Sequence, residues 1–142
     1  MLRLTFVSQT TGESPLYKSR MNTVIDFKNV EQISIHNKEC IKLNFGSILN
    51  QKDAVRVCNE WKAISQADKT KKYVIIFNAK DMIDYEPMTR TSFQNTMKEL
   101  KAQIDQVWVI SESKLIRGGA AIMGMLTAFS IKAVNSEDQI IF

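Results

Sequence analysis

Tyr73-Val74-Ile75-Ile76-Phe77 lies between the charged run Lys69-Thr70-Lys71-Lys72 and the turn-former Asn78. Five consecutive large apolar residues, rich in β-branched types and bounded in this way, read as a strand covered on both faces. Such a strand is the centre of an α/β sheet. In open sheets of this kind, ligands and partners gather where chain leaves the carboxyl ends of the strands. The polar loop from Asn78 to Glu86 is therefore the first place to look for function.

The pattern extends outward in both directions. On the C-terminal side, Pro87 suits the first turn of a helix, where a missing N–H costs nothing, and Phe93, Met97, Leu100 and Ile104 form its apolar stripe. This predicts a helix over 87–103. Val107-Trp108-Val109-Ile110 is a second buried strand, leading into Ser111-Glu112-Ser113 as the cap of a very apolar helix with Leu115, Ile116, Gly119, Ile122, Met123, Leu126 and Phe129. A last strand is expected over 131–134, and Ser136-Glu137-Asp138 would start a final short helix.

On the N-terminal side, Asn50 with Asp53 three residues later is a capping signal, and Ala54, Val57, Cys58, Trp61 and Ile64 recur at helical spacing. A helix over 51–65 follows, with Cys58 and Trp61 in the core. Ile33-Ser34-Ile35 and Ile41-Lys42-Leu43-Asn44-Phe45 alternate with period 2 around His36-Asn37-Lys38-Glu39. They read as an antiparallel hairpin with one wet face, preceded by a candidate strand over 23–27. Residues 1–20, rich in Ser, Thr, Gly and Pro after position 7, read as a poorly ordered extension. The compact domain is expected from 21 to 142.

At 142 residues, with 44% apolar and 24% charged, the chain fits one domain able to bury a core without cross-links. The net charge is +4, half of it from Arg3, Lys18 and Arg20 against Glu13, so the domain is nearly balanced and does not carry a nucleic-acid footprint. Cys40 and Cys58 lack redox-pair spacing, and a single histidine cannot complete a zinc set around them. They read as buried free thiols in a reducing compartment, which gives a cytoplasmic expectation. No window approaches the roughly 18 apolar residues of a membrane span.

Three local patterns invite chemistry. Asp81, Asp84 and Glu86 place three carboxylates in one loop, but calcium needs about six to eight oxygen ligands and an EF-hand also needs its Gly and twelfth-position carboxylate. Glu86 is better placed as favourable charge at the start of the following helix. Ser111-Glu112-Ser113-Lys114 has the S-x-x-K spacing of serine acyl enzymes without their companion elements, so a helix cap is the simpler reading. Gly118-Gly119-Ala120-Ala121 lacks dinucleotide-loop spacing and sits inside a helix. Two glycines there cost about 1 kcal/mol each against alanine, so close backbone approach, or room for an apolar ligand, should compensate.

From position 22 onward the chain resembles the STAS family, the SpoIIAA-like anti-sigma-factor antagonist domains, and in particular the bacterial STAS/SEC14-like group. The resemblance rests on the hairpin ending in Phe45-Gly46, the central strand, the loop ending in Ile83-Asp84, and Leu115-Ile116-Arg117-Gly118-Gly119-Ala120-Ala121 followed by Ile131-Lys132-Ala133-Val134. It implies a mixed α/β sheet with an antiparallel N-terminal hairpin, later parallel strands and three to four helices. Members of that family carry an Asp-Ser pair after the central strand, whose serine a partner kinase phosphorylates. Here the matching pair is Asp84-Tyr85.

What the resemblance implies is therefore the fold and a docking surface without the serine switch. The expectation is a non-enzymatic module, with no catalytic residue, cofactor or metal, that binds a regulatory protein of kinase or anti-sigma-like type through Asp81, Asp84, Tyr85, Glu86 and Arg90. The alternative is a carrier or sensor of a small lipid-like molecule held at Gly118, Gly119 and Met123. Self-association into a homodimer stays open.

Overall fold

The computed structural model describes residues 29–142. The expectations for the extension, the domain start at 21 and the strand over 23–27 fall outside that range. The chain runs β1 (Val30–Ile35), β2 (Lys38–Asn44), β3 (Ile48–Leu49), α1 (Gln51–Ala67), β4 (Tyr73–Asn78), β5 (Asp84–Tyr85), α2 (Met88–Glu99), β6 (Ile104–Ile110), α3 (Lys114–Thr127) and β7 (Ile131–Val134). Single 3-10 turns occupy Lys101–Gln103 and Glu137–Gln139, the second in place of the expected final helix.

Among the described residues, five strands form one sheet in the order β1-β2-β4-β6-β7, antiparallel between β1 and β2 and parallel thereafter. From β2 the order advances in one direction. With crossovers of constant hand, this places every connecting helix on the same face. Ile41, Leu43, Ile75, Phe77, Val107 and Val109 point to that face and pack against Trp61 of α1, Met97 of α2 and Ile116 of α3. Phe77 is the hub of this core, edge-to-face with both Trp61 and Phe93.

The opposite face is not the wet face expected of the hairpin. Cys40, Val74, Ile76, Trp108 and Ile110 form a second apolar cluster, closed by Ile140 from the C-terminal segment. Beyond it the sheet turns polar: Asn78 Nδ2 donates to Asn44 Oδ1 at 2.7 Å, and Asn44 Nδ2 to Glu31 Oε2 at 2.6 Å. The central strand is thus buried on both sides, as its five apolar residues require.

The hairpin turn is tighter than its sequence suggests. His36 (φ 49°) and Asn37 (φ 67°) both adopt left-handed backbone, the two-residue loop whose twist matches paired strands, so Lys38 and Glu39 already belong to β2. Helix ends follow local chemistry where a cap is present. Asn50 accepts from the Asp53 amide, and Ser113 from the Ile116 amide. The far end of α1 is closed by a residue distant in sequence: the buried Gln103 donates Nε2 to the carbonyls of Ser65, Asp68 and Lys71 at 2.7–3.2 Å. Helix α3 ends on Ala128 in the left-handed region (φ 64°).

Candidate functional site

Chain leaving β4 turns at once. The Ala79 amide bonds to Ile110 O and the Met82 amide to Ala79 O, which swings Met82 into the core and leaves Asp81 exposed. The next residues are stitched to the segment after β2. Ile83 N donates to Ser47 O at 2.7 Å, β5 pairs parallel with β3, and Glu86 N donates to Leu49 O at 2.9 Å. What reads as a loop is therefore a small second sheet laid over the carboxyl end of the main one.

Glu86 has a different role from the one its position suggests. Its Oε1 accepts from the Gln51 amide at 2.7 Å, so it caps the start of α1, while α2, with Pro87 as its N-cap, has no side-chain cap. The reason is the β3–β5 pairing, which delivers Glu86 beside the first free N–H of α1. Asp81, Asp84 and Glu86 are all exposed, and the described residues contain no group of three or more His, Cys, Asp or Glu able to hold a metal ion.

Tyr85 points inward. It is half-buried against the main core, with the Arg90 guanidinium 5.9 Å from its ring centroid and its hydroxyl against Gly119 of α3. Around this contact lies a small cavity of about 60 Å³, lined among others by Phe45, Met82, Tyr85, Phe93, Gly119 and Met123. Arg90 also lines it, with its Nε buried and unpartnered. The two sets of candidate residues therefore meet: Tyr85 and Arg90 from one, Gly119 and Met123 from the other. Gly118 does not join them, because it is exposed and an added Cβ there would meet nothing within 4 Å.

Ser111 is occupied structurally. Its hydroxyl accepts from the Ser113 amide at 3.0 Å and its carbonyl accepts from Arg117 Nε at 2.7 Å. Burial raises the pKa of both thiols, Cys40 and Cys58, above the ordinary range, which keeps them protonated and unreactive.

Sequence reasoning missed three residues on this edge. Ile48 (61%), Ile83 (67%) and Met88 (63%) are large apolar side chains left exposed beside the acidic positions. The signal was there in outline, since Ile83 and Met88 interrupt a polar stretch without fitting the stripe of α2.

No protein-family model matches the chain, and no curated protein matches it. Among solved structures it is similar to an uncharacterized protein of the DUF3478 family with a SpoIIAA-like fold from Shewanella loihica PV-4. The TM-score is 0.62 at 9% identity, over 77% of this chain and 86% of that one. The hairpin entry, the parallel strands and the helices on one face agree with that likeness, and the chain has a SpoIIAA-like fold.

Proposed function

We propose that the chain is a non-enzymatic regulatory module that binds a signalling protein, of kinase or anti-sigma-like type, through the Asp81–Glu86 segment and the start of α2. One observation carries this reading: Ile48, Ile83 and Met88 stand more exposed than a folded domain needs, interleaved with Asp81, Asp84 and Glu86. An apolar centre with a charged rim is the usual make-up of a protein-binding patch. The pairing of β5 with β3 pre-organises the segment, which lowers the entropy lost on docking. Tyr85 then acts from beneath, setting the height of the segment over α3, and the exposed contacts fall to its neighbours. Buried free thiols suit a reducing, cytoplasmic setting.

The test is affinity capture from the native host with the full chain and with Ile83→Asp and Met88→Asp. Both variants should melt like the parent and lose the same co-purifying protein. Unchanged capture in both would overturn the reading.

A second reading, a carrier of a small apolar ligand seated against Gly119 and Met123, draws on the cavity beside Tyr85, which at about 60 Å³ would first have to open by moving the Tyr85 hydroxyl off Gly119. Native mass spectrometry separates the two, because a retained lipid-sized adduct would favour the carrier.

A further inference from the structure

Helix α3 buries one face on the sheet, and no other described residue covers its opposite face. Leu115, Ile122, Met125 and Leu126 are all exposed, Met125 at 82%. Leu115, Gly118, Ile122 and Met125 follow one another at spacings of three and four, the seam of two heptads along a 14-residue helix about 21 Å long. Gly118, which the fold itself does not require, sits near the middle of that seam beside the exposed Ala121.

The charges on α3 are placed against its own dipole. Its first turn holds Lys114 and no acid, and its last turn holds no base. The positive end therefore carries a cation and the negative end nothing to offset it. Lys114 makes no ion pair among the described residues.

We propose that this face is a self-association surface, on which a second copy of the chain lays its own α3 antiparallel. With Gly118 facing Ile122, each Leu115 falls opposite Met125. Met125 is also one wall of an open surface groove shared with Ala121, Gly124, Ala128, Phe129, Ser130 and Ile131 on the flank of the helix. Each Lys114 then lies at the carbonyl end of the facing helix, so both mismatched helix ends are corrected by one arrangement. A parallel pair would instead bring the two lysines together. Gly118 and Ala121 allow the backbones to approach at the centre. An anionic membrane surface is the weaker occupant, because such helices carry a basic rim and Lys114 is the only exposed cation on α3.

Sedimentation velocity of the full chain over a concentration series tests the surface. The parent should shift from monomer to dimer. Gly118→Leu and Lys114→Glu should each weaken that dimer by about tenfold or more while melting at or above the parent's temperature, since both improve the isolated helix. Ile122→Asp should abolish it. A parent that stays monomeric throughout, or a dimer indifferent to Ile122→Asp, overturns the proposal. So does flotation of a monomeric parent with phosphatidylcholine–phosphatidylserine vesicles, lost in Ile122→Asp.

Discussion

The hydroxyl of Tyr85 occupies the space that a side chain on Gly119 would need, and the ring's Cζ lies 3.0 Å from where that Cβ would stand. One glycine of the Gly118-Gly119 pair thus exists for an aromatic ring from a distant segment. The contact ties the edge beyond β4 to the middle of α3.

Gly119→Ala should therefore destabilise the protein by about 1–3 kcal/mol through overpacking, although alanine is the better helix former. Tyr85→Phe removes the atom that meets the new methyl first, and in the Gly119→Ala background it should restore part of the loss. A double-mutant cycle from urea unfolding reads this directly. Additive effects of the two changes would mean that ring and glycine do not compete for space.

Gln103→Leu should cost about 1–3 kcal/mol, because the carbonyls of Ser65, Asp68 and Lys71, in the last turn of α1 and the loop after it, lose their shared donor. Amide exchange should quicken in the last turn of α1, and not in α2, next to which Gln103 lies in sequence.

Ala128 closes α3 in a backbone region that suits glycine, so Ala128→Gly should raise stability by up to about 1 kcal/mol. Gly124→Ala should act in the opposite direction, since its Cβ would stand 2.8 Å from the Phe129 carbonyl oxygen. Thermal melts of the two variants, shifted in opposite senses, check both statements.

The thiols set an alkaline limit. Burial raises the pKa of Cys40 and Cys58 in the folded chain, while the unfolded chain ionises them near the ordinary value of about 8.5. Their contribution to stability is therefore fully present below that value and is lost as pH rises through the folded values. Urea unfolding of the parent at neutral and alkaline pH should show a decline that the Cys40→Ala/Cys58→Ala double variant shows less steeply. Parallel declines would remove the thiols as its cause.

The parts of this molecule that are local in sequence were legible there. Tyr73 to Phe77 announced a doubly covered strand, and the Asn50 and Ser113 caps opened α1 and α3 where the spacing put them. The parts that failed depend on segments meeting across the fold. Glu86 reads as a charge for the helix after it, yet the two-residue pairing of β3 with β5 gives it to α1. No periodicity reveals a strand of two residues. Ala128 carries no turn signal at all, and the covered far face of the hairpin depends on Ile140, about a hundred residues away.

The bond between Glu86 and Gln51 makes one backbone amide a gauge of the whole edge. The Gln51 N–H is held by a side chain 35 positions along the chain, so its chemical shift and solvent protection register whether the Asp81–Glu86 segment is seated. An event there, whether docking, displacement or fraying, will be visible at a residue that takes no part in it. A single resonance can thus report occupancy without any label placed in the contact itself.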